Sequence, residues 1–314
     1  MNKLINKLFI KYKNSIILII FLSYLLLIYL RLDNFQRKMI KYRILSMRFK
    51  QREGFRNDLL CLLILLIVPF CSNYEIYYLL TGRTYNFYIG YFYPELDEHF
   101  YSKLYWYNVF RLNGINTPSI LLYKLEGKTI YLNEYSMDKY YIYKPIYGGI
   151  GIGIKKVNGK EIKDLIQNDN TDFLIQELLF DCTYKKAKHF RYNSLYTGDN
   201  HGLYTAKEDD ETNITSNLGE YSICENMKCN DLDKNQQIQL DIMINKLRIL
   251  HKNHFPHVFA LSWDLMINCE ISTSIEVFCL EGNVVSHLQR YHQKESIIDL
   301  KNKAENFYIM NGYL

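Results

Sequence analysis

With 314 residues, 48% of them hydrophobic and 23% charged, the chain is long enough for one large or two ordinary domains with a real core, and it is not a disordered polypeptide. The net charge of +5 hides an uneven distribution: residues 1–58 hold 13 Lys and Arg against 3 Asp and Glu, and the remainder 25 against 30. Seven cysteines, an odd number with no CxxC pair, argue against a disulfide framework and a paired-cysteine zinc site and point to reduced, structural thiols.

Ile16–Leu32, "IILIIFLSYLLLIYLRL", is uncharged up to Arg31, and it reads as a single membrane anchor extended by Asn14, Ser15 and a snorkelling Arg31. No small-residue cleavage site follows it, which argues against a removed signal peptide. Arg37, Lys38, Lys41, Arg43, Arg48, Lys50, Arg52 and Arg56 then form a polybasic flank. Such a flank is expected on the cytosolic side, held to anionic lipid, with the body in the cytosol and no nucleic acid as partner. A second apolar run, Leu59–Phe70, is short for a span and reads as a buried or interfacial connecting helix within 59–95.

From residue 96 onward, helical and strand patterns alternate, predicting an α+β nucleotide-binding body over 96–314. Residues 98–112 have helical spacing and stop at Asn113-Gly114. Strands are predicted in "TPSILLYKL", "KTIYLNEY" and "DKYYIYKP", then a returning strand in "GIGIKKV", a short helix in "EIKDLIQN" and a buried strand in "TDFLIQELLF". Strand-like "KHFRYNSLYT" and "HGLYTAKE", an amphipathic helix over 233–252, strands in "VFALSWDLMI" and "IEVFCLEGNVV", and a closing helix in "QKESIIDLKNKAENFYIM" complete the order.

Chemistry concentrates in a few places. Lys144 ends an apolar strand and is followed by Gly148, Gly149, Gly151 and Gly153. Glycines there leave backbone N–H groups unshielded beside a mobile cation, which suits a polyphosphate as well as it suits a plain hairpin. Asp264 and Glu281 lie in apolar strands, where a carboxylate needs an opposite charge or a metal. Glu281 and Asn283 are two apart and share a strand face, so with Asp264 they form an oxygen-rich set suited to Mg²⁺. Gln176, Glu177 and Leu178 end a buried strand and could read an adenine edge, and Lys103 opens a helix from which it could reach a phosphate. "HKNHFPH" (His251, His254, His257) resembles zinc spacing, but Pro256 follows the helix end and the three would not share a face, so it reads as a histidine-capped terminus.

The order of Lys103 with "GINTP", then "YKPIYGGIGIGI", "IQELL", "FRYNSL", "WDL" and "LEGN" resembles the ATP-grasp superfamily, and most of all its branch of sugar-transfer-associated proteins found with cell-surface polysaccharide genes. The resemblance covers roughly residues 96–290. It implies two α+β subdomains gripping ATP. Lys103 and Lys144 would hold the phosphates under a lid of Gly148–Gly153, and Gln176, Glu177 and Leu178 would hold adenine. Arg191 would face the transferred phosphate or the acyl intermediate, and Asp264, Glu281 and Asn283 would hold Mg²⁺. The implied activity is ATP-dependent ligation of a carboxylate to an amine or similar nucleophile through an acyl phosphate, in glycan modification. Phosphorylation of a hydroxyl and a non-catalytic ATP-binding scaffold are the rival readings. The usual Rossmann-like N-terminal subdomain of such enzymes has no counterpart here, its place being taken by the apolar segment.

Overall fold

The computed structural model describes residues 22–38, 41, 92–93, 96, 99–148, 152–179, 187–195, 202–205, 234–268, 276–283 and 294–314. It forms two compact units, residues 1–92 with 292–314, and residues 93–291.

In the first unit, helix α1 spans 22–31 and a further helical turn spans 34–38. Phe35 is fully buried and meets Tyr308 edge-on, at 5.1 Å between ring centres. The closing helix, residues 294–310, thus belongs to this unit. Among the described residues, no helix is long and apolar enough to cross a membrane. Residues 16–21 of the first apolar run and all of 59–70 lie outside the described residues.

The second unit begins with α2 (Lys103–Leu112). Ser102 caps it, its hydroxyl accepting from the Tyr105 N–H at 3.2 Å. Gly114, at φ +64°, ends it in the left-handed region that the Asn-Gly pair foretells. Strands β1 (Ile120–Leu125), β2 (Lys128–Tyr131), β3 (Tyr140–Pro145), β4 (Lys155–Asn158) and β5 (Phe173–Glu177) make an antiparallel sheet in the order β2-β1-β5-β3-β4. Glu126 and Gly127 both have positive φ, the twist a two-residue hairpin needs between β1 and β2. One face carries Leu122, Tyr141, Tyr143, Phe173 and Ile175, packed with Ile162 of α3 (Ile162–Asn168). Alternation along β3 sends Lys144 to the other face. The returning strand starts only at Lys155, because Gly153 sits at φ +76° in a turn against Pro145.

A second antiparallel sheet, in the order β7-β6-β8-β9, is built from β6 (Ala187–Leu195), β7 (Gly202–Thr205), β8 (Ala260–Asn268) and β9 (Val277–Asn283). Helix α4 (Lys234–His254) buries Leu240, Met243, Ile244, Leu247, Leu250 and His251, a stripe at helical spacing. His251 does not cap the helix end, as the sequence suggests. Its Nδ1 meets the Ser194 hydroxyl at 2.7 Å and its Nε2 the Val258 carbonyl at 2.8 Å, while the Trp263 indole N–H donates to Ser194 Oγ at 2.9 Å. All three side chains are wholly buried, and the network gives each polar atom a partner. The closing helix is α5 (Lys294–Met310), already placed in the first unit.

Candidate active site

The start of α2 is stitched to the exit of β3. Lys103 N–H donates to the Ile146 carbonyl at 2.9 Å, and Ser102 bridges Tyr147 as an isolated antiparallel pair. The Lys103 ammonium reaches the Gly148 carbonyl at 2.8 Å, and Gly148 lies at φ +119°, where a side chain would be strained. Lys144 is two residues upstream of Ile146 on the same chain path. The two lysines, from different elements, lie within electrostatic reach of each other.

The carboxylates come from the second sheet. Asp264 on β8 and Glu281 on β9 are directly paired, and Ser262 pairs with Asn283, so both β9 side chains share one face with Asp264. The Asn283 amide donates to Asp264 Oδ2 at 3.2 Å and lies 3.5 Å from Glu281 Oε1. Gly282, between them, faces the other way. A Cβ there would lie 2.8–2.9 Å from three atoms of the Trp106 indole, so only glycine lets α2 lie this close to β9. Trp106 is fixed in turn by Phe110, Phe255 and Trp263 and by its N–H bond to the Phe100 carbonyl at 3.0 Å.

The electrostatics show opposite charges gathered in one buried place. Burial lowers the Lys144 pKa to about 8, with Glu281 and Asp264 opposing that shift and Lys103 reinforcing it. Burial lowers Lys103 as well, against the pull of Glu281. Glu281 is raised, first by burial and then by Asp264, although both lysines act to lower it. Burial raises Cys279, behind the pair, so its thiol stays protonated. Among the described residues, no hydrogen bond or ion pair holds the Lys144 ammonium. Two cations and two carboxylates act on one another in a buried space, and Glu281 is also hydrogen-bonded to Asp264. Such a space suits a ligand carrying its own anionic groups and a cation.

A hard divalent cation fits the acidic side. Two carboxylates in direct register, one of them 5% exposed, repel unless a proton or a cation lies between them. The Asn283 amide faces the same point, and turning it presents an oxygen there. Among the described residues, no cluster of three or more His, Cys, Asp or Glu is placed for a metal, so the set is two carboxylates and an amide.

The other expected residues are placed as follows. Gln176 is buried and its amide donates to the Pro118 carbonyl at 3.0 Å. Glu177 accepts the Ser119 N–H at 2.7 Å while its own N–H donates to the Ser119 carbonyl at 2.9 Å, so side chains and backbone here hold the 118–119 segment to β5. Arg191 takes the β6 position paired with Asp264, its side chain lying outside the described residues together with Gly149 and Gly151. Gly148 and Gly153 both have positive φ. The Gly282–Trp106 contact is the feature that sequence reading missed. Its signal was the glycine set between an acid and an amide in an otherwise apolar strand.

No protein-family profile and no curated protein sequence matches the chain. Among solved structures, it is similar to a D-alanine–D-alanine ligase from Helicobacter pylori, at 15% identity and TM-score 0.44, over 66% of this chain and 58% of that one. It is similar also to D-alanyl-alanine synthetase A from Vibrio cholerae, at 14% identity and TM-score 0.44, over 68% and 67%. A third is a D-alanine–D-alanine ligase from Bacillus anthracis complexed with ATP, at 12% identity and TM-score 0.38, over 67% and 65%. The chain thus spans a little under three fifths of the length of the first of these.

Proposed function

We propose that the chain is an ATP-dependent ligase of the ATP-grasp type, which activates a carboxylate as an acyl phosphate for attack by an amine or similar nucleophile. The observation that carries this reading is the cluster of Lys103, Lys144, Asp264, Glu281 and Asn283, drawn from one helix and both sheets. Phosphoryl transfer asks a protein mostly for positioning and charge neutralisation, and these side chains supply both. Lys103 and Lys144 bind the β- and γ-phosphates and spread their charge, Lys103 exchanging the Gly148 carbonyl for a phosphate oxygen. Asp264, Glu281 and Asn283 hold Mg²⁺, which when bound neutralises phosphate charge. The resemblance supports a role at the transferred group for Arg191, whose backbone pairs with Asp264 in register. The resemblance of the ordered motifs supports a role in cell-surface glycan modification, and the apolar segment with its basic flank supports membrane attachment with the body on the cytosolic side.

The test is product analysis of purified protein with Mg²⁺-ATP against pools of amino acids and amino or acidic sugars. ADP, free phosphate and a new amide are expected. ADP with a phosphorylated hydroxyl would overturn the ligase reading in favour of a kinase. Nucleotide binding with no turnover on any pool would overturn it in favour of a scaffold.

A further inference from the structure

Helix α1 does not present its side chains as a water-exposed helix does. Leu22, Leu25, Leu26, Leu27, Tyr29 and Leu30 are 41–65% exposed, while Ile28, Leu32 and Phe35 turn inward. Apolar surface therefore points outward around much of the helix. Polarity changes abruptly at its C-terminal end. Arg31 closes the helix and Asp33 opens the next turn through a reciprocal cap, with Gln36 N–H donating to Asp33 Oδ1 at 2.8 Å and Asp33 N–H to Gln36 Oε1 at 3.0 Å. Arg37 then folds back, its Nε–H donating to the Tyr29 carbonyl at 3.0 Å and its guanidinium lying 4.1 Å from the centre of the Tyr29 ring. That carbonyl is one of the last four of α1, which have no helical donor, so the arginine caps the helix while stacking on its tyrosine. Lys38 and Lys41 follow directly.

Along α1, then, polarity is segregated by position on the helix axis rather than by face. A protein partner or a second copy of the chain asks for an apolar patch ringed by polar groups. A bilayer asks for apolar length ending in an aromatic and basic girdle, with cations beyond it. We infer that α1 inserts into an anionic phospholipid bilayer with the membrane–water boundary at the Tyr29–Arg37 clasp, leaving Lys38 and Lys41 among the headgroups. This rests on the membrane attachment proposed above and is independent of the nucleotide site.

The position of the boundary makes the inference testable, because a lysine near it can snorkel to the headgroups and one a turn deeper cannot. Full-length protein is transferred from detergent into vesicles of phosphatidylcholine, with or without phosphatidylglycerol, and the bound fraction is read by flotation. Wild type should float with both and more completely with phosphatidylglycerol. Leu26→Lys should lower the bound fraction by about tenfold or more, and Leu30→Lys by about twofold or less. Both positions are exposed, so neither change disturbs a core, and unchanged ATP affinity by calorimetry verifies that the body is folded. Equal losses at the two positions would overturn the boundary. Failure of wild type to float, or a stable dimer in detergent that Leu26→Lys dissociates, would overturn the lipid assignment. Absence of ATP binding, by contrast, would touch only the ligase reading.

Discussion

If Lys144 binds phosphate as a cation, nucleotide binding must be coupled to its titration. With a pKa of about 8 in the free protein, the side chain is about nine-tenths protonated at pH 7 and about one-tenth at pH 9. If only the ammonium form binds, apparent affinity for ATP falls about tenfold between those values, since apparent Kd scales inversely with the competent fraction. A polyphosphate against the ammonium restores the pKa toward its ordinary 10.5, so binding takes up protons: about half a proton at pH 8 and about a tenth at pH 7. Calorimetry with Mg²⁺-ATP in two buffers of different ionisation enthalpy reads that uptake directly. Lys144→Arg keeps the charge at every pH and should abolish both the uptake and the tenfold fall. The same shift has a stability consequence of definite sign. The folded state releases this proton before the unfolded chain does, so the group's contribution to folding stability rises with pH between about 8 and 10.5. ATP binding in wild type with no proton uptake at pH 8 would refute the phosphate role of Lys144.

Glu281→Gln removes a carboxylate that burial and Asp264 already disfavour, so the ligand-free variant should melt higher than wild type near neutral pH by thermal denaturation. Its Mg²⁺-ATP turnover should fall roughly 10² to 10³-fold, and unchanged turnover would remove Glu281 from the cation site. Gly282→Ala drives a methyl into the held Trp106 ring and should cost about 1–3 kcal/mol in urea unfolding. Combined with Trp106→Leu, the total should be less than the sum of the two single changes, and strict additivity would mean that the contact is not the cause. Tyr192→Phe should raise stability by about 1 kcal/mol, because among the described residues the buried tyrosine hydroxyl has no hydrogen-bond partner, and burial pushes its pKa up. A lowered denaturation midpoint would mean that an ordered water satisfies it.

Much of the element order could be read from residue patterning. Asn113-Gly114 ends α2, Glu126-Gly127 turns β1 into β2, and the apolar stripe from Leu240 to Leu250 marks α4. Charges within apolar strands singled out Lys144, Asp264 and Glu281, because a charge there needs a reason that local propensity does not supply. Which strands pair, and so which charges meet, depends on contacts between residues far apart in sequence. Asp264 is seventeen positions from its register partner Glu281, and Lys103 is forty-five from the Gly148 carbonyl it contacts. For the same reason Gln176 and Glu177 looked open at the end of a strand, when their side chains in fact tie down Pro118 and Ser119. The sequence puts the start of β4 among the glycines, which suit strand and turn alike, whereas Gly153 at positive φ delays it to Lys155.

The buried Ser194–His251 contact has a bearing on how this protein would be surveyed. A serine oxygen 2.7 Å from an imidazole nitrogen is the geometry by which hydrolases are sought. Here the oxygen also receives the Trp263 N–H, the far ring nitrogen is tied to Val258, and none of the three side chains reaches solvent. A fluorophosphonate probe should leave Ser194 of the folded chain unlabelled, and a geometric screen for nucleophile–base pairs would return this pair as a false positive. What resembles a reactive centre is a rivet, and its chemistry is cohesion between α4 and the sheet.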